Sequence, residues 1–320
     1  MQAPIALSCG EPAGIGPEIA VKAWEHLRAN LPFFWIGDPR HLPTGTKFST
    51  IGAPSETFEV CENALPVLPM EFAEPSTPGT ATPANAQGVI DAIERGVGYV
   101  KSGEASAICT APIHKKALQD GAGFTHPGHT EFLAALDNDA DVVMMLASDQ
   151  LRVVPATIHI PLKDVPKALT ASGLENVLRI THRALQKRFG ITRPRIAVAG
   201  LNPHAGEGGK MGLEDAALIA PVLEKLRSEG FDIAGPLPAD TMFHSAARAR
   251  YDAAVCMYHD QALIPIKTLD FDKGVNITLG LSFVRTSPDH GTAFDIAGKG
   301  IANPTSLIEA LRMAARMSAT

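Results

Sequence analysis

Three histidines and a group of basic and amide side chains carry most of the chemistry legible in this chain. His159 lies in ATIHIPL, His204 in LNPHAGEGG and His259 in MYHDQ, each at or just beyond a short apolar run that reads as a buried strand. A neutral imidazole offers one lone pair suited to a borderline-soft divalent cation, and three with an open position describe a catalytic rather than a structural metal site. Taken singly, a histidine near a strand end is more often a hydrogen-bonded structural residue. Residues 200–209, GLNPHAGEGG, admit two readings. Either the turn brings backbone amides to a phosphate and His204 is incidental, or His204 is a metal ligand and the glycines make room around it. No H-x-x-H spacing decides between them.

A second group is suited to anions. Lys267 in IPIKTL, Asn276 in GVNITLG and Arg285 in FVRTSPDHG set an ammonium, an amide and a guanidinium in one C-terminal stretch, and His129 and Thr130 in HPGHTEF open a helix. Helix N-terminal amides with two cations suit a phosphorylated or carboxylated small molecule. The plainer alternative is a solvated lysine and a surface ion pair for Arg285. Asp240 in PLPADTMF reads as the N-cap of the helix that follows. Asp260, beside His259, suits orienting a histidine, accepting a proton or capping a helix. The stretch SCGEPAGIGPE puts glycines between a strand and a helix without the G-x-G-x-x-G spacing, so its dinucleotide signal is weak. A tight turn with Pro17 at the first helical position explains it equally.

The elements that must hold these residues alternate along the chain. PIALSCG, PFFWIG, SAICTAP, VVMMLAS, RVVPATIHI, RIAVAG and AAVCMYH are apolar strand patterns, with helical patterns between them. Residues 85–103 set Val89, Ile93, Val97 and Val100 on one helical face, and Pro221 interrupts a helical stretch over 213–229, predicting a kink. The alternation predicts an α/β fold with largely parallel sheets, and 320 residues predict two domains or one large one. With 45% hydrophobic and 19% charged residues, the composition argues against disorder and membrane spanning. The net charge of -6 argues against nucleic acid as a partner. Four cysteines without a CxxC pair and an N-terminus without a signal-peptide pattern point to the cytoplasm.

Across residues 4–316 the motifs GEPAGIGPE, HPGHTEF, NPHAGEGG, GPLPADTMF, YHDQ, GVNITLG and RTSPDHGTA together resemble the 4-hydroxythreonine-4-phosphate dehydrogenase family of pyridoxal phosphate biosynthesis. The resemblance implies a two-domain fold like isocitrate and isopropylmalate dehydrogenases, with the active site in the interdomain cleft at a homodimer interface. It divides the chain into 1–125 with 286–320, and 126–285. It makes His159, His204 and His259 metal ligands shared between partner chains, and His129, Thr130, Lys267, Asn276 and Arg285 substrate-binding. NAD or NADP is the implied cofactor, with zinc, magnesium or cobalt as the metal and Asp240 or Asp260 as the base. The implied reaction oxidises 4-phosphooxy-L-threonine at C3 and decarboxylates the β-keto acid to 3-amino-2-oxopropyl phosphate. Relatives acting on phosphorylated sugar acids or a cyclic dihydrodiol dicarboxylate, and a non-catalytic phosphometabolite binder, are the competing readings. The run GGKMGLED after His204 resembles the biosynthetic enzymes more than those relatives.

Overall fold

The computed structural model describes residues 2–319. They form two compact units, one of residues up to 141 together with 281–319, the other of residues 142–280. These junctions differ from the expected 125/126 and 285/286, and hydrogen bonds account for the difference. Lys101 Nζ donates to the Leu136 carbonyl at 2.6 Å, and the Asp137 carboxylate accepts from Ser282 N at 2.6 Å and Ser282 Oγ at 2.7 Å. The helix His129–Leu136 and Arg285 therefore belong to the first unit.

Twelve strands are described: β1 (Ile5–Ser8), β2 (Phe33–Gly37), β3 (Phe48–Thr50), β4 (Leu65–Pro69), β5 (Ala107–Thr110), β6 (Val143–Ala147), β7 (Arg152–Pro155), β8 (Arg195–Ala199), β9 (Asp232–Leu237), β10 (Ala253–Cys256), β11 (Val275–Leu279) and β12 (Arg285–Pro288). The first unit orders its strands β3-β4-β2-β1-β5-β12, every pair parallel. Strands of a parallel sheet are covered on both faces, so they read as continuous apolar runs, and FFWIG of β2 is buried at every position. The helix Ala86–Ser102 buries Val89, Ile93 and Val97 over β1, β2 and β5, while Val100 is half-buried. It stops at Gly103, whose φ of 81° is the left-handed cap that glycine tolerates.

The second unit orders its strands β11-β6-β7-β10-β8-β9. β6 runs antiparallel to both β7 and β11, and the other pairs are parallel. Its core gathers Leu146, Val153, Ala197, Ala254 and Cys256 from the sheet with Ala262, Leu263 and Ile266 of the helix His259–Leu269. All four cysteines are free and buried, and among the described residues no helix is long and apolar enough to cross a membrane.

Two local expectations are corrected. In place of a simple kink, a π-helical turn Asp215–Ile219 leads into the helix Ala220–Ser228, with Ala220 N bonded to Asp215 O. Pro221 has no N–H to return to the preceding turn, and the wider turn absorbs that missing bond. Asp240 is not an N-cap: it lies in the 3-10 turn Ala239–Thr241, and His244 Nδ1 caps the helix Ser245–Arg248 by accepting from Ala247 N at 3.4 Å. Met242, 2% exposed, is drawn into the core between them, which delays the helix.

Candidate functional site

In a parallel sheet ligands gather at the carboxyl ends of the strands, and in the first unit the loops after β1, β5 and β12 meet there. Gly10 has φ +68°, and a Cβ on it would lie 2.5 Å from the Pro112 carbonyl oxygen, so only glycine lets the first two loops pass this closely. Glu11 N then donates to Pro112 O at 2.8 Å, and Ile15 N donates to Thr292 O at 3.0 Å. Glu11 is 3% exposed, and burial raises its carboxyl pKa despite the bond it accepts from Ala13 N at 3.1 Å. The His114 ring meets Phe294 edge-on with centroids 5.0 Å apart. His114 Nδ1 and His290 Nε2 are buried without a partner among the described residues. Sequence reasoning passed over Glu11, His114 and His290, although GEPAGIGPE and RTSPDHGTA hold two of them.

Arg285, the first residue of β12, is 3% exposed and not a surface ion pair. Its Nε and Nη2 donate to Thr110 Oγ1 at 3.1 and 2.7 Å, and Nη2 lies 3.4 Å from His129 Nδ1. Burial lowers the guanidinium pKa to about 10, which leaves it charged at neutral pH. Burial, and then the Arg285 charge, hold His129 well below its ordinary 6.5, so the imidazole is neutral there. His129 and Thr130 stand in the first turn of His129–Leu136, after Gly128, as expected from HPGHTEF.

In the second unit β7 and β10 are neighbours, so the segments beyond them bring His159 and His259 together. Their ring centroids are 5.6 Å apart with planes inclined at 43°. Both strands end earlier than their apolar runs: β7 stops at Pro155 and β10 at Cys256, so His159 lies in a loop and His259 begins a helix. His159 takes φ 50°, a left-handed backbone uncommon for a residue with a side chain. Asp260 Oδ1 lies 2.7 Å from His259 Nδ1. That contact places the ring proton on Nδ1 and leaves Nε2 as a lone pair. A pocket of about 260 Å³ is lined by Thr157, His159, Leu162, Tyr258, His259 and Asp260 among others.

His204 stands exposed on the loop after β8, where residues 204–208 all have positive φ. Asp215, 2% exposed, anchors this loop. Its Oδ1 accepts from Leu201 N at 2.7 Å, and its Oδ2 from Asn202 N at 3.2 Å and Asn202 Nδ2 at 2.9 Å. A Cβ on Gly206, φ +80°, would lie 3.3 Å from Oδ2, so that glycine lets loop and carboxylate approach. The turn holding exposed Asp240 packs beside the same loop. Among the described residues no three His, Cys, Asp or Glu side chains close into a metal-holding group, so His204 does not join His159 and His259 within one chain. Lys267 Nζ lies 5.7 Å from the Phe271 ring centroid, and Asn276 of β11 keeps a buried Oδ1 without a partner among the described residues.

A family model described as "Pyridoxal phosphate biosynthetic protein PdxA" matches residues 31–314. The chain belongs to the PdxA family. A relative from Ruegeria sp. (strain TM1040) named 4-hydroxythreonine-4-phosphate dehydrogenase is 66% identical over 316 residues, 99% of this chain and 97% of that one. The crystal structure of a 4-hydroxythreonine-4-phosphate dehydrogenase from Klebsiella pneumoniae matches with TM-score 0.89 and 36% identity, covering 99% of both chains. A terephthalate 1,2-cis-dihydrodiol dehydrogenase from Burkholderia xenovorans LB400 matches with TM-score 0.68 and 30% identity, covering 98% of this chain and 97% of that one.

Proposed function

We propose that this PdxA-family chain oxidises 4-phosphooxy-L-threonine at C3 with NAD or NADP and a divalent metal, and that the β-keto acid loses carbon dioxide to give 3-amino-2-oxopropyl phosphate. The observation that carries this reading is the 66% identity, across nearly the whole chain, to a protein named 4-hydroxythreonine-4-phosphate dehydrogenase. The dihydrodiol dehydrogenase, at 30%, is a weaker guide to substrate.

The residues fit an anionic substrate. Arg285 keeps its charge in a buried place, beside neutral His129 and the amides opening His129–Leu136, and a charge-assisted bond is strongest where water is excluded. Lys267 supplies a second cation and Asn276 an acceptor oxygen for the substrate's amine. The buried orphan nitrogens of His114 and His290 fit a ligand rich in hydroxyls and amides, as a nicotinamide dinucleotide is. His159, His204 and His259 hold the metal. Imidazole donors favour zinc or cobalt over magnesium. When bound, the metal supplies Lewis acidity at the substrate's C3 oxygen and the nicotinamide accepts hydride. Asp260 keeps the His259 ring in the tautomer with Nε2 free, which leaves Asp240 to take the hydroxyl proton.

His204 and the other two histidines meet across a homodimer. The support is that large apolar side chains stand exposed on the segments that carry all three: Ile160 and Leu162 just after His159, Met211 and Leu213 later in the loop of His204, and Ile264 on the helix that His259 opens. Exposed apolar side chains of this size suit burial against a second chain.

The test is a substrate panel with each metal, followed at the nicotinamide absorbance. Reduction with 4-phosphooxy-L-threonine supports the reading, and reduction only with a sugar acid phosphate or a dihydrodiol dicarboxylate replaces it. The shared site is tested by co-expressing His159→Ala, His204→Ala and His259→Ala chains in pairs. About half the dimers are mixed, and a mixed dimer whose two defects fall in one site keeps the other intact, so roughly a quarter of full activity returns. Two of the three pairings recover if one histidine comes from the partner, and none recovers if all come from one chain.

A further inference from the structure

Arg285 has five N–H groups and no lone pair, so every hydrogen bond it makes is a donation. Thr110 Oγ1 takes two of them, from Nε and from Nη2. Thr110 is the last residue of β5, wholly buried, and Arg285 lies opposite Ile108, so its side chain runs along β5 to the strand's end. A guanidinium is a rigid plane, and fixing Nε and one Nη fixes the whole fork. Threonine is itself stiff at χ1, which makes the acceptor a fixed point. A hydroxyl also orients the cation without cancelling its charge, as a carboxylate would. The fork in turn places Nη2 at 3.4 Å from His129 Nδ1. Because the guanidinium cannot accept, Nδ1 faces it as a bare lone pair and the ring proton sits on Nε2. That Nε2 is buried with no partner among the described residues, a donor held ready with nothing to receive it.

We propose that Thr110 is a positioning residue: by locking the Arg285 fork it holds His129 in the Nε2–H tautomer, so that a neutral N–H donor and a guanidinium face the substrate's anionic group together. The identity of that substrate rests on the function proposed above; the tautomer does not. Thr110→Val keeps the volume and removes the acceptor, Thr110→Ser keeps the acceptor, and Thr110→Ala replaces the valine variant if that one does not fold. The first measurement is imidazole 15N NMR on the full-length chain, with His129 assigned through His129→Gln. The expected result is the Nε2–H tautomer in the wild type and Thr110→Ser, and a mixture in Thr110→Val. The second is kinetics with 4-phosphooxy-L-threonine. Thr110→Val raises its KM roughly tenfold, the loss of about one charge-assisted bond, with kcat and the KM for the nicotinamide within about twofold. Thr110→Ser restores the KM, which a role in packing alone would not produce. The proposal is overturned if Thr110→Val leaves tautomer and KM unchanged, or if Thr110→Ser fails as badly as Thr110→Val. A wild type inert toward this substrate would sink the assigned reaction, and the tautomer measurement would still decide the role of Thr110.

Discussion

Replacing Asp215 by alanine releases the loop that carries His204. Three residues of that loop with side chains, His204, Ala205 and Glu207, hold positive φ, at a cost of about 1–2 kcal/mol each or roughly 3–6 kcal/mol together. Against this stand the bonds from Leu201 N and Asn202 N to the Asp215 carboxylate, worth about 1.5–3 kcal/mol each and so of the same size. Asn202 Nδ2 keeps its bond to Glu214 Oε2 at 2.8 Å and is not orphaned. With the carboxylate gone the strain is unopposed and the loop relaxes locally, while the sheet behind it stays folded. Amide hydrogen exchange over residues 201–213 should then quicken at least a hundredfold, the equivalent of about 3 kcal/mol, while the whole chain loses less than about 3 kcal/mol in urea unfolding. Asp215→Asn should fall between, since one amide oxygen cannot serve both sites. Zinc affinity, read by chelator competition, should drop with the exchange protection. Exchange that stays within a few-fold of wild type in Asp215→Ala would refute the anchoring argument.

Lys267→Met and Arg285→Met should each lower kcat/KM for the phosphorylated substrate by roughly one to two orders of magnitude and spare the KM for the nicotinamide. A change confined to the nicotinamide KM would remove both from the substrate site. The His129 pKa is lowered from 6.5 in the folded chain, as are those of His41 and His182, so below about pH 6.5 the unfolded chain binds more protons. That stability is therefore complete above about pH 6.5 and falls as the pH drops toward the folded values. Urea unfolding between about pH 7 and about pH 5 should show this slope, and His129→Gln should make it shallower; identical slopes would contradict it. Chelation should abolish turnover and leave the far-UV circular dichroism unchanged, with zinc restoring it; full turnover in protein shown metal-free by elemental analysis would remove the metal from the reaction.

Seven of the twelve described strands were legible, because a buried strand announces itself in four or five adjacent apolar residues; β3, β4, β9, β11 and β12, shorter or broken by polar residues, glycine and proline, were not. The ends of the legible strands were not: Thr157 to His159 continue an apolar run, and Ala156 N and Thr157 N still donate to the Cys256 and Met257 carbonyls at 2.7 and 3.2 Å, but His159 turns to φ 50° and leaves the extended form. The anion-binding residues were visible as types, and HPGHTEF marked the helix start at His129. Thr110 was not visible, since a threonine ending SAICTAP is an ordinary strand residue until Arg285, 175 residues away, is laid against it. The bond between Asp137 and Ser282, 145 residues apart, was invisible for the same reason. Asp215 had no local signature, as its role depends on glycines that read only as a turn.

The first unit is assembled from both ends of the chain, whereas the second is one uninterrupted stretch. β12 and the helix Thr305–Ser318, which packs on β5 and β12, arrive last. During synthesis the second unit is complete once residue 280 has emerged, but β5 waits with one flank open. Ala107, Ile108 and Cys109, all fully buried in the finished molecule, then form a bare parallel edge of the kind that recruits other chains. Completion thus runs opposite to the order of translation: the part begun first is finished last, and a chain cut short before Arg285 would carry a finished second unit beside a sheet that cannot close.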